Sequence, residues 1–328
     1  MIAQHTAEGG VLGCSGKTDP ESRRDDRFSR THFRPHQSGH YVGPVVKGAW
    51  FNAAPKRRSA PNKENAVPIL RSNDAVLQYE VAGSGLDLVL LHPFPLNHHF
   101  WDPVVPALSG QYRVITPDLR THGDSEAGDG PVTMQRLAED LHRLCREEGV
   151  TKAIFVGASV GGYALFEFWR RYREQVAAIV LSNTRAGPEN AEGRANRLRI
   201  ADQVLRDGTA GFIEDMLHKL LSPATLSNRP DIVDAARHMM QKMSPQDIAG
   251  VQRGMADRLD SVETLGTINV PAIVIVGGDE VRAEAELMHH HIRASKLYVI
   301  EKAGHYAAME RPEEYARILR QFADEVYH

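Results

Sequence analysis

From about residue 66 the chain alternates between short apolar runs and amphipathic stretches. The runs are "LDLVLLH" (Leu86–His92), "YRVITPD" (Tyr112–Asp118), "KAIFVG" (Lys152–Gly157), "AAIVLSN" (Ala177–Asn183), "PAIVIVG" (Pro271–Gly277) and "KLYVIE" (Lys296–Glu301). Each is rich in Val, Ile and Leu and is bounded by turn residues. Unbroken apolarity predicts strands with both faces buried. "AVLQYEVAGSG" reads as a further strand and a Gly-rich turn. Between the runs, "MQRLAEDLHRLCREEG" and "GGYALFEFWRRYREQ" carry helical periodicity. "WDPVVPAL" opens another helix, with Asp102 placed to cap it and Pro103 at its first position. Strands alternating with helices predict an α/β fold, a mostly parallel sheet with helices on both faces. The alternation stops after Asn183. "RANRLRIADQVLRDG", "TAGFIEDMLHKLLS", "RPDIVDAARHMMQKMS" and "PQDIAGVQRGMADRL" read as consecutive helices, and strands resume at Pro271. The expected organisation is a core over 66–183, a helical insertion over 184–270, and a second part of the core over 271–328.

Residues 1–65 differ. They are rich in Arg, Ser, His, Gly and Pro, and their apolar residues show no period. That composition cannot bury enough surface to order itself, so a disordered extension is expected. Asp19, Glu21, Asp25 and Asp26 argue against an organelle-targeting peptide. Gly16-Lys17-Thr18 resembles the end of a phosphate-binding loop. The required glycine is missing, because position 11 is Val, and no strand precedes the motif.

Charge narrows the partners. A net charge of −3 gives no electrostatic case for nucleic acid or an anionic membrane. No apolar stretch approaches the roughly 20 residues of a membrane helix. Cys14 and Cys145 are the only cysteines, which excludes a disulfide framework and suits a reducing, cytoplasmic compartment. No oligomeric state follows from the pattern.

The strongest chemical signal is Gly157-Ala158-Ser159-Val160-Gly161, a G-x-S-x-G between an apolar run and a helix. A sharp strand-to-helix turn there lifts Ser159 into the open as a nucleophile and leaves the Val160 N–H aimed at a developing oxyanion. A serine hydroxyl needs a base. His305 follows the last apolar run in an Ala-Gly-His turn and is the candidate among 16 histidines. His98-His99 and His289–His291 read as surface, since neighbouring helical residues point about 100° apart and chelate poorly. A second oxyanion donor is expected after Leu86–His92. Pro93 has no N–H, so Phe94 supplies it. Asp118, Arg120 and His122 in "TPDLRTHGDSE" are expected to shape a loop rather than react. Asp279 and Glu280 close the run before the last pair of elements, and either carboxylate could hold the base. Met239, Met240 and Met243 in the insertion are read as core. The pocket is expected to be mostly apolar.

"LLHPFPLNHHFW", "TPDLRTHGDS", "GASVGG" and "AGHYAAMERPEE" occur in the order seen in the α/β-hydrolase fold family, which the chain resembles from about residue 70 onward. Within that family it is similar to the esterase and lactone-hydrolase branch, including 3-oxoadipate enol-lactonase-like enzymes. The resemblance implies a helical cap in the insertion and a serine hydrolase. Its substrate would be a small-molecule ester or lactone, cleaved through an acyl-enzyme without metal or organic cofactor. It keeps open a non-hydrolytic ligand-binding protein on the same scaffold, and a cofactor-free perhydrolase or carbon–carbon hydrolase. Ser159 argues against the dehalogenase and epoxide-hydrolase branches, where the resemblance implies Asp. Three departures stand out. Pro93 and Thr121 each replace a customary glycine. The resemblance also places the triad acid three residues after Gly277, at Glu280, where Asp is usual, in a loop about three residues short. Glu280 fits by spacing and Asp279 by residue type.

Overall fold

A computed structural model of the protein describes residues 68–327 apart from Asn73, 127–130 and Val281. The expectations for residues 1–65 lie outside the described residues. Eight strands form one sheet: β1 (Ile69–Ser72), β2 (Ala75–Gly83), β3 (Leu86–Leu91), β4 (Tyr112–Pro117), β5 (Ala153–Ala158), β6 (Val176–Ser182), β7 (Ala272–Gly277) and β8 (Ser295–Ile300). Their order is β1-β2-β4-β3-β5-β6-β7-β8. The pairs from β4 through β8 are parallel, and β2 runs antiparallel to both β1 and β4.

The central strands obey the burial expected of continuous apolar runs. Every residue of β5 and β7 is buried. β8 departs from that expectation: most of its residues are only half-buried, because it is the last strand in the sheet and lacks a neighbour on one side. β1 is an addition the pattern did not announce. Only Leu70 and Ser72 of its four residues are buried, so it carries too short a signal.

Helices α1 (Val105–Leu108), α2 (Met134–Glu147), α3 (Val160–Tyr172), α10 (Arg282–His291), α11 (Ala307–Glu310) and α12 (Pro312–Tyr327) belong to the core. α2 packs against α3, and α1 against α12, so both sheet faces are covered. α2 shows why it forms: Thr133 caps it by accepting from Arg136 N–H at 3.2 Å, and Met134, Leu137, Ala138, Leu141 and Leu144 lie on one buried stripe. The expected cap at Asp102 is not made. A 3₁₀ turn at His98–Trp101 takes up this stretch, α1 begins at Val105, and Asp102 bonds His99 Nδ1 at 2.9 Å instead.

The insertion between β6 and β7 is helical, as expected. It holds α4 (Ala191–Asp207), α5 (Ala210–Leu220), α6 (Pro223–Asn228), α7 (Pro230–Gln241), α8 (Pro245–Ala256) and α9 (Val262–Leu265). Ser244 and Asp247 cap α8 reciprocally. Met239, Met240 and Met243 are buried in its core. Among the described residues, no helix is long and apolar enough to cross a membrane.

Candidate active site

Five loops leave the carboxyl ends of β3, β5, β6, β7 and β8, strands that lie side by side in the sheet. In open parallel sheets that edge is where ligands bind. A cavity of about 980 Å³ opens there, and Phe94, Ser159, Glu280 and His305 all line it.

Ser159 has φ 51° and ψ −111°, outside the ordinary regions for a side-chain-bearing residue. The surroundings hold it there. Its N–H donates to Ser182 O at 2.9 Å, and its carbonyl accepts from Gly162 N–H at 2.9 Å and from the Thr184 hydroxyl at 2.8 Å. The turn needs its glycines. A Cβ on Gly157 would lie 2.7 Å from Gly161 backbone, and one on Gly161 would lie 2.7 Å from Leu91 O. Val160 is the first residue of α3, so its N–H has no intrahelical acceptor. The Phe94 N–H meets no backbone acceptor among the described residues.

His305 lies in the turn between β8 and α11, with its N–H donating to Leu220 O at 2.8 Å. Its Nδ1 is 3.4 Å from Glu280 Oε1. Burial pushes the Glu280 carboxyl up, but the bond and charge of His305 more than offset this and hold it below its ordinary value. Asp279 is different. It is exposed and does not line the cavity; among the described residues its backbone N–H is bonded, to Ala303 O at 3.0 Å, and its side chain shows no hydrogen bond or ion pair. The structure therefore brings Glu280 and His305 together and leaves Asp279 aside.

Two residues in this site escaped sequence reasoning. The Asn183 side chain accepts from Gly277 N–H at 2.8 Å and donates to His305 O at 2.9 Å, joining the β7 end to the histidine turn. Its φ of 43°, which Asn tolerates better than most residues, is the signal its place after an apolar run offered. Glu310 is buried and accepts from Gly304 N–H at 2.9 Å, Ser222 N–H at 3.0 Å and the Thr225 hydroxyl at 2.7 Å.

The loop after β4 is a polar scaffold. Arg120 is buried and makes paired bonds of 2.9 Å to Asp140. Asp118 accepts from His98 N–H at 2.7 Å, and His98 Nδ1 lies 2.7 Å from the same oxygen. Burial pushes Asp118 up, but His98 outweighs this and brings it down to about 2. This corrects the surface reading of His98: the 3₁₀ turn that replaces the expected helix start folds it inward onto Asp118. His99, His290 and His291 are exposed as expected. Thr121 has φ 71°, the left-handed region its customary glycine would enter freely.

The cavity wall is not mostly apolar, because the loop after β6 and α4 bring Arg185, Glu189, Arg197 and Asn196 onto it.

An α/β sheet of this order, carrying a strained serine on a strand-to-helix elbow and a histidine after its last strand, defines a class. The family model described as alpha/beta hydrolase family matches residues 88–318, and the chain belongs to that family. The 3-oxoadipate enol-lactonase 1 of Acinetobacter baylyi is 27% identical over 242 residues, spanning 73% of this chain and 89% of that protein. A thermophilic esterase from Thermogutta terrifontis, solved with malate bound, superposes with a TM-score of 0.77 at 34% identity, over 80% of this chain and all of the other. The enol-lactonase of Burkholderia xenovorans shares the fold, with a TM-score of 0.73 at 23% identity over 78% of this chain and all of that one. The chain is thus a member of a hydrolase family, and its relatives include esterases and lactonases.

Proposed function

We propose that the protein is a serine hydrolase that cleaves a small-molecule ester or lactone through an acyl-enzyme. The observation that carries this reading is Ser159, held at φ 51° on the elbow in a cavity it shares with His305. Ser159 Oγ attacks the substrate carbonyl while His305 takes its proton. Glu280 holds Nδ1 of His305 and stabilises the imidazolium. The N–H groups of Phe94 and Val160 receive the oxyanion. Collapse expels the alkoxide, which His305 protonates, and leaves Ser159 acylated. Water then gives its proton to His305, attacks the acyl carbon and releases the acid with the serine restored. Neither half needs a metal or an organic cofactor. The lactonase and esterase relatives support the substrate class.

The test joins a fluorophosphonate probe to a panel of p-nitrophenyl esters and lactones. Wild type should be labelled and should turn esters over. Ser159→Ala should lose labelling and several powers of ten in kcat. Full turnover by Ser159→Ala would sink the nucleophile assignment. A wild type that resists the probe would instead favour a ligand-binding protein on this scaffold.

A further inference from the structure

One wall of the cavity carries more positive charge than it neutralises. Glu189, whose side chain is only 4% exposed, receives three guanidinium groups at a single oxygen: Arg197 at 2.5 Å, Arg185 at 2.6 Å and Arg258 at 3.1 Å. Three cations against one carboxylate leave an excess of two. The cavity's other acids, Glu192, Glu280 and Glu284, form no ion pair with these arginines among the described residues. Arg258 is further occupied: it donates to Gly187 O at 2.5 Å and lies 4.6 Å from the centre of the Tyr163 ring. Arg197 also holds Gln252 Oε1 at 3.1 Å. Arg258 Nη1 is buried without a hydrogen-bond partner, but that side chain is only 3% exposed and does not line the cavity; Arg185 is the one that can reach a ligand. Its Nε is buried with no hydrogen-bond partner, while its side chain is 37% exposed and lines the cavity. A buried donor left unpaired is costly, and gathering like charges adds to the cost.

The position of this wall matters as much as its charge. Arg185 follows Thr184, whose hydroxyl bonds the Ser159 carbonyl, and Tyr163 lies one helical turn beyond Ser159 on α3. The unspent charge is therefore built beside the elbow. A neutral substrate gives it no partner, whereas a carboxylate accepts two parallel N–H bonds from a guanidinium.

We propose that this wall is a carboxylate subsite, and that the substrate is an ester or lactone bearing a second, ionised carboxylate away from the scissile bond. Arg185 takes that carboxylate, and Arg197 and Arg258 add their field from behind. The proposal rests on Ser159 being the nucleophile and names the class of ester it serves.

The experiment compares mono-p-nitrophenyl adipate and suberate with p-nitrophenyl hexanoate and octanoate, in wild type, Arg185→Gln and Arg185→Lys. Wild type should favour the anionic ester of each pair by about 10-fold or more in kcat/KM, the yield of one charge-assisted contact. Arg185→Gln should lower that ratio by about 10- to 100-fold, mostly through KM, and Arg185→Lys should restore part of it. Added salt should narrow the wild-type ratio. A wild type that hydrolyses the neutral esters with a ratio of one or less overturns the subsite and leaves the serine-hydrolase reading standing. So does a ratio unchanged in Arg185→Gln. Failure to turn over either ester, together with no fluorophosphonate labelling, takes down both.

Discussion

Glu280 reaches His305 across 3.4 Å from a segment that passes from Gly277 into α10 at Arg282. The extra methylene of glutamate supplies reach where the loop has lost length. Its depressed pKa puts its stabilising contribution above the unfolded carboxylate value, to be lost as pH falls through the lower folded value. Glu280→Gln should therefore cut ester kcat by about two to four powers of ten, as loss of a triad acid does elsewhere, while Asp279→Asn should stay within a few-fold of wild type. Equal losses in the two variants would show that the assignment is wrong. Sequence spacing had narrowed the acid to this pair. It could not choose, because the choice depends on which of two adjacent side chains turns into the cavity. Thr121 stood out in the sequence only as a replacement for a customary glycine; its φ of 71° shows that the position does take the left-handed conformation a glycine would enter freely.

The turn carrying His305 is positioned by neighbouring elements more than by its own sequence. Glu310 on α11 binds the Gly304 N–H within the turn and also the Ser222 N–H and Thr225 hydroxyl at the start of α6. One buried carboxylate thus ties the base to the insertion. Glu310→Ala should lose about 3 kcal/mol or more of stability, because three partners are left unsatisfied at once. It should also change kcat and KM together, read from thermal denaturation and ester kinetics. Glu310→Gln, which keeps an acceptor, should recover part of both. An alanine variant with wild-type melting and kinetics would remove Glu310 from this positioning role. No periodicity announces such a residue. Long, strongly patterned elements such as α2 and β5 were readable from the chain. The short α6, β1 and the 3₁₀ turn at His98 were not, since each is decided by tertiary contacts rather than by local apolar period.

For the molecule as a whole, acid tolerance should be governed by the buried loop network behind the cavity. His92 is fully buried; its Nε2 accepts the Leu119 N–H at 2.9 Å, and its Nδ1 lies 3.1 Å from Pro93 O. Both bonds are met by a neutral ring. Burial, helped by the neighbouring His122, pushes its pKa from 6.5 to about 3. The unfolded chain binds a proton that the folded one refuses, so this contribution is intact above about 6.5 and is lost as pH falls toward 3. Stability should drop by about 1.4 kcal/mol per pH unit from this residue alone. Denaturant titrations of wild type and His92→Asn at several pH values between these limits would show it, with a shallower slope in the variant. Identical slopes would contradict it. The loop network was legible because Asp118, Arg120 and His122 lie in one short stretch, whereas the mixed charge of the cavity was not: Arg185, Glu189 and Arg197 come from a loop and a helix with no shared pattern and meet only in the folded chain. The bond from His305 N–H to Leu220 O stitches the end of α5 to the turn that carries the histidine. The insertion cannot lift along that seam without pulling the histidine out of line. The histidine and the insertion therefore move as one piece at that seam, and any loosening of α5 there would be read out directly as a misplaced base.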